Sequence, residues 1–303
     1  MTLFDTLRLI HVLAAIVWLG GALITQLYVV RLKSAEPAHR LGFARDLAFV
    51  GERVYAPAAI VALVAGVWMV VDRDAFEFSQ AWLLIGLVGL VVTVAMAVGF
   101  MIPQTKKAIG LIESGNGPAA GGVIKKVGAA SRLATLILLV VVWAMVFKPG
   151  LATGNSVLFG TLLTVHLLAV MTWFGGGFVS MIYFRRAQHA DRAHLLGFAT
   201  DITKIGPAFG IASLIAAIAG VWMVLVRPDF AFGQAWVIIG ITGLVLSSAI
   251  GGAILTPVEK KFLAELEAGG DAAGPMRRIG RILTIDHTIL LIVVYAMVFR
   301  PGA

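Results

Sequence analysis

Cysteine is absent from this 303-residue chain, and charged residues make up only 13% of it. The first absence excludes disulfides, thiolate metal sites, iron–sulfur clusters and covalent c-type haem attachment. The second excludes a soluble globular fold, which must present polar groups to water. Hydrophobic residues are 60% of the chain and the mean hydropathy is +0.97. The short alternating segments of a membrane β-barrel are missing. So is a basic run at the N-terminus: Met1 to Ile10 carries Asp5 and Arg8, and no cleavage site follows. The first apolar stretch is therefore expected to be a retained span. Phosphate loop, hydrolase elbow and metalloprotease motif are all lacking, and no span carries a pair of carboxylates. A soluble-type active site is not expected.

What is present is apolar length. A helix needs about 20 apolar residues to cross a bilayer core of about 30 Å. In lipid the backbone must bond to itself, so such runs imply helices. They fall at 7–30, 54–71, 81–103, 133–147, 157–184, 208–226, 235–256 and 282–299. The expected fold class is all-α membrane, with eight transmembrane helices.

Basic residues fall in every second loop. Arg31, Lys33, Arg40, Arg45 and Arg53 follow the first run. Lys106, Lys107, Lys125, Lys126 and Arg132 follow the third. Arg185, Arg186, Arg192 and Lys204 follow the fifth, and Lys260, Lys261, Arg277, Arg278 and Arg281 the seventh. That accounts for 19 of the 24 Lys and Arg. By the positive-inside rule these loops are cytoplasmic and both termini lie outside. Topology alone thus explains the net charge of +8, and nucleic acid is not expected as a partner.

The sequence repeats itself in order. HVLAAIVWLGG (from His11) matches HLLAVMTWFGG (from His166), LGFARD (from Leu41) matches LGFATD (from Leu196), and GVWMV occurs from Gly66 and from Gly220. FEFSQAW (from Phe76) matches FAFGQAW (from Phe230), and AMVFKPG (from Ala144) matches AMVFRPG (from Ala296). The offset drifts only from 155 to 152. The expected domains are two four-helix repeats, 1–152 and 153–303, of parallel orientation because four is even.

Histidines lead the candidates for chemistry. His11 and His166 open matching helices, about 10 Å deep at about 1.5 Å per residue, and ionisable residues at such depth face a bundle or cavity. His11 shares its face with Ala14, Ala15, Trp18, Gly21, Ala22 and Thr25. His166 shares its face with Ala169, Val170, Trp173, Gly176, Gly177 and Ser180. One reading makes both imidazoles ligands of a metal, haem iron (haem b) above all, with Trp18 and Trp173 as pocket walls. The other has each ring hydrogen-bonded to a neighbouring helix, the small strip packing backbone on backbone.

His287, beside Asp286, has Thr135 as its counterpart. It reads either as a proton-relay entrance or as part of a capped helix start. His39, His189 and His194 fall in basic loops and are expected to be solvated. Asp46 and Asp201 are expected to hold their loops through nearby Arg and Lys. Trp82 and Trp236 fit interfacial anchoring, as do Trp68 and Trp222.

The pattern H-x-x-A-x-x-x-W-x-G-G at the head of a four-helix module resembles the CopD-like and HemJ-like families of bacterial membrane proteins. It looks closest to their uncharacterised relatives described as predicted integral membrane proteins. The resemblance implies a bacterial inner-membrane location. From the HemJ-like side it implies haem binding and protoporphyrinogen oxidation through His11 and His166. From the CopD-like side it implies copper uptake. The lysine that HemJ-like proteins use in a later helix has no counterpart within a span here, since Lys106, Lys107, Lys260 and Lys261 sit at helix ends. Expected partners are the lipid bilayer and either a second copy of the chain or a membrane redox protein. Three functions remain open: haem-linked redox chemistry, transport of a small solute or metal ion, and a structural or accessory role.

Overall fold

A computed structural model describes residues 2–151 and 155–302. The expected boundary at 152/153 lies outside the described residues. The described chain is all-helical, without strands. It contains eight helices long and apolar enough to cross a membrane: helix 1 (Leu3–Ser34), helix 2 (Pro37–Val71), helix 3 (Ala81–Glu113), helix 4 (Gly117–Phe147), helix 5 (Val157–Ala187), helix 6 (Arg192–Val226), helix 7 (Ala235–Glu267) and helix 8 (Ala273–Phe299). At about 1.5 Å per residue they outrun a core of about 30 Å, so their polar ends continue as helix beyond it.

This extension corrects the sequence reading. Residues 37–53 and 192–207, taken as loops because they are charged, are helical. Pro37 opens helix 2 at a position where a missing N–H costs nothing. The Asp191 side chain caps helix 6 by accepting from the His194 N–H at 2.8 Å.

Helix 1 packs on helix 2, 3 on 4, 5 on 6 and 7 on 8. Glycine sets these distances in both halves. Gly86 lies under Met145 and Gly89 under Val141, while Gly240 lies under Met297 and Gly243 under Val293. The halves meet where helices 1 and 5 cross. A Cβ on Gly20 would come within 1.9 Å of the Met171 carbonyl oxygen, and one on Gly175 within 1.9 Å of the Ile16 carbonyl oxygen. Both glycines lie in π-helical turns, Ile16–Gly20 and Met171–Gly175. The small strip thus packs backbone on backbone, as small residues do in membranes. Outward faces are apolar: Ile60, Val64, Val88, Leu214 and Ile218 are all more than half exposed within the protein, which suits contact with lipid tails.

One residue of drift in the sequence match has a visible cause. Asp46 matches Asp201 at an offset of 155, but Gly66 matches Gly220 at 154. Between them helix 2 contains a π-helical turn, Gly51–Tyr55, which holds one extra residue. Helix 6 runs through the same region as α-helix with Pro207 inside it.

At the end opposite the basic loops, the repeated FxFxQAW and AMVFxPG segments form one contact. The Lys148 ammonium lies 5.1 Å from the Phe76 ring centre and 5.2 Å from that of Trp82. The Arg300 guanidinium stands equally over Phe230 and Trp236. Trp82 and Trp236 are buried and donate Nε1–H to Gln80 and Gln234. Their role is therefore a packed cation platform, whereas Trp68 and Trp222 are half-exposed. Beyond the spans, a hydrogen bond from the exposed Arg227 guanidinium holds the Asp229 carboxyl below the usual carboxylate range.

Candidate functional site

The two candidate ligands are held alike. His11 Nδ1 donates to the Ala62 carbonyl at 2.7 Å, and His166 Nδ1 to the Ala216 carbonyl at 2.9 Å. Each ring lies against the glycine of GVWMV: a Cβ on Gly66 would be 3.1 Å from His11, and one on Gly220 3.2 Å from His166. These are the contacts of the packing reading, and they explain why glycine recurs there. They occupy one nitrogen of each ring. Because a carbonyl only accepts, Nδ1 carries the proton, and Nε2 keeps its lone pair with no hydrogen-bond partner among the described residues. Each ring is engaged by the second helix of its own half, so the two do not meet at one point. Beside His166 lies an apolar cavity of about 260 Å³. Trp173, Trp236, Phe159, Phe174 and Phe230 line it, and Arg300 stands on its wall. Trp18 is buried in the helix-crossing core.

A second constellation was not expected from the sequence. His39 and His194 are 2% and 1% exposed, not solvated. Their Nδ1 atoms are 2.8 Å apart. His39 Nε2 lies 3.0 Å from Asp201, and His194 Nε2 2.9 Å from Asp46. Arg31 closes on Asp201 at 3.1 Å and Arg186 on Asp46 at 2.7 Å. Every carboxylate is met by the histidine and arginine of the other half. His189, by contrast, is exposed as expected.

Each Nε2 lies at hydrogen-bond distance from a carboxylate oxygen, and an ionised carboxylate only accepts. Of the facing Nδ1 atoms, one donates and one accepts. The four side chains thus form one continuous hydrogen-bonded chain across the two halves. Two arginines close its ends on the two carboxylates, a paired arrangement of the kind buried charge requires. Close packing positions the rings. A Cβ on Gly42 would fall 2.3 Å from His194, and one on Gly197 2.3 Å from His39. Beneath them Tyr28 stacks between Phe43 and Phe198, at centroid distances of 5.6 and 5.7 Å. The sequence did hold a signal for this site. At the constant offset of 155, Tyr28, Arg31, His39, Gly42 and Asp46 recur as Tyr183, Arg186, His194, Gly197 and Asp201.

A third place belongs to the second half. A cavity of about 610 Å³ lies among helices 5 to 8, with Glu259, Asp286 and His287 on its wall. Asp286 accepts from the Ser247 hydroxyl. His287 donates Nδ1–H to Leu283 O at 2.7 Å, and its buried Nε2 rests against the Gly177 backbone without a regular hydrogen bond. The pair lies well inside helix 8, which starts at Ala273, so the helix-start reading is set aside. Among the described residues, no group of three or more His, Asp or Glu is placed to hold a metal ion.

No curated protein and no solved structure matches the chain. A family model described as "Predicted integral membrane protein (DUF2269)" matches residues 5–149, the first four helices. With the eight apolar helices, this match supports a plain conclusion: the chain is an integral membrane protein.

Proposed function

We propose that the protein is a haem-associated, redox-linked membrane protein in which His166 would ligate the haem iron and His11 is its counterpart in a duplicated module. One observation carries this reading. The His166 ring commits Nδ1–H to the Ala216 carbonyl and keeps an unpaired Nε2 beside an apolar, aromatic-walled cavity. Metal-bound imidazoles are commonly oriented in this way, by donating their other N–H to a carbonyl.

The residues present fit a haem. Trp173, Phe174 and Trp236 give flat apolar walls, and Arg300 offers a cation for an acidic edge group. Haem would supply one-electron chemistry at its iron. The chain's own part is to orient the imidazole, exclude water through the aromatic wall and hold the Nδ1 proton on the ring.

The same reading places the chain in a bacterial inner membrane, with basic loops in the cytoplasm and both termini outside. Reporter fusions at Gly115 and Gly270 should then report cytoplasm.

The visible spectrum of protein purified after haem-supplemented expression is the direct test. A Soret band that is lost in His166→Ala and kept in His189→Ala is expected. Spectra unchanged in both His11→Ala and His166→Ala would overturn the assignment.

A further inference from the structure

The cavity of helices 5 to 8 shares Trp173 alone with the lining of the His166 cavity and has an ionic character of its own. We propose that it binds a small organic ammonium carrying an apolar body.

Three observations converge on that chemistry. Glu259 lines the cavity and has neither an ion pair nor a hydrogen bond among the described residues. Asp286 also lines it, and its carboxylate is met only by the Ser247 hydroxyl and its neighbour His287. Carboxylates withdrawn from bulk water are costly unless a cation or a proton meets them. Aromatic faces supply the second element, since Trp173, Phe209 and Phe262 share the wall, and such rings attract organic cations. The third element is access. Gly206 and Gly210 on helix 6 and Gly251 and Gly252 on helix 7 border the cavity, and a Cβ on any of them would meet nothing within 4 Å. A volume of about 610 Å³ is ample for a multi-ring solute. Lys260, on the same wall, is exposed and can turn its ammonium outward. A bare metal ion fits poorly, because the described acidic and histidine side chains form no group of three that could hold one.

The first half serves as an internal control. At the matching offsets of 154 and 152, Glu259, Asp286 and His287 are replaced by Thr105, Ala134 and Thr135. The acidic wall is thus a property of the second half alone.

The test uses the full chain in dodecyl maltoside and the cationic dye rhodamine 6G, followed by fluorescence anisotropy. Saturable binding is expected. Glu259→Gln and Asp286→Asn should each weaken it at least tenfold, and Gly251→Phe, which fills open space, should weaken it without touching a charge. Thr105→Val should leave it unchanged. Competition by dioctanoylphosphatidylethanolamine, but not by dioctanoylphosphatidylglycerol, would assign the natural ammonium to a lipid headgroup. Absence of competition would assign it to a free amine. Both outcomes keep the site. Wild-type dye affinity in a monodisperse Glu259→Gln/Asp286→Asn double variant would overturn it. So would equal displacement by the neutral dye Nile red, or no binding to the wild type.

Discussion

The two halves share their scaffold but close it differently. In the first half, Glu52 on helix 2 pairs with Lys106 on helix 3 at 2.5 Å, and Arg45 pairs with Glu113 at 2.6 Å. In the second half Gly206 and Pro207 stand where Glu52 would match, on either side of the one-residue drift, and Thr200 stands at the position of Arg45. The matching Lys260 therefore lacks its carboxylate, and the polar cavity opens there. Exposed ion pairs contribute little each, about 0–1 kcal/mol, so the contrast is one of shape and charge more than of stability. It shows one half latched and the other hollowed. What both halves keep is the helix crossing at Gly20 and Gly175 and the Asp–His–His–Asp chain, the features that join them.

The largest effect is expected where the halves touch through backbone. Gly20→Val or Gly175→Val places side-chain atoms where a carbonyl oxygen already sits, and no rotamer relieves a collision at Cβ. A loss of about 4 kcal/mol or more is expected, the exceptional range for one substitution. The readout is loss of the monodisperse peak and of cooperative melting in detergent. A normal melt in either variant would mean that the helices cross elsewhere.

Next comes the buried charge chain, which probes whether the halves are equal at their join. Asp46→Asn strands Arg186 and one end of the histidine pair, and Asp201→Asn strands Arg31 and the other end. Removing one partner of a buried pair costs about 3–5 kcal/mol. The two variants should therefore destabilise alike, within about 1 kcal/mol, by equilibrium unfolding in detergent mixtures. Unequal losses would show that one half dominates the join. Gly42→Ala and Gly197→Ala should also act as a matched pair, since each drives a methyl into the facing imidazole.

How much of this could be read beforehand follows from what hydropathy measures. The eight spans were legible because lipid-facing residues such as Val64, Val88 and Leu214 make each run apolar whatever it packs against. The polar ends of helices 2 and 6 were not, because a local window sees Arg40, Arg45 and Asp46 as charges to be solvated. The partners lie far off in sequence: Glu113 is 68 residues from Arg45, and Arg186 and His194 are 140 and 148 residues from Asp46. Only the recurrence of His39, Gly42 and Asp46 at a fixed offset could have shown that these charges belong to one design. His11 and His166 were legible as matched intramembrane histidines, and the repeated GVWMV glycine is now explained by the ring beside it. The acidic cavity was hidden for the opposite reason. Glu259, Asp286 and His287 break the repeat, and a search for matches passes over residues that differ.

The smallest expected effect is also the sharpest test of the contrast between halves, because it rebuilds the latch of the first half in the second. Gly206→Glu puts a carboxylate at one of the two positions that flank the match to Glu52, which pairs with Lys106 in the first half, and its target Lys260 is already present. The added side chain enters open space and replaces a helical glycine, which is worth up to about 1 kcal/mol in propensity alone. Stability alone therefore cannot report the ion pair. A double-mutant cycle with Lys260→Met isolates it, with an expected coupling of about 0.2–1 kcal/mol. Rhodamine 6G affinity should fall in Gly206→Glu if the new bridge spans the cavity mouth, and recover when Lys260→Met is added. Measurable coupling together with lost dye binding would mean that the two halves differ at this mouth by a single ion pair. Zero coupling would instead trace the opening to the spacing of helices 6 and 7, set by Pro207 and by the missing π-helical turn.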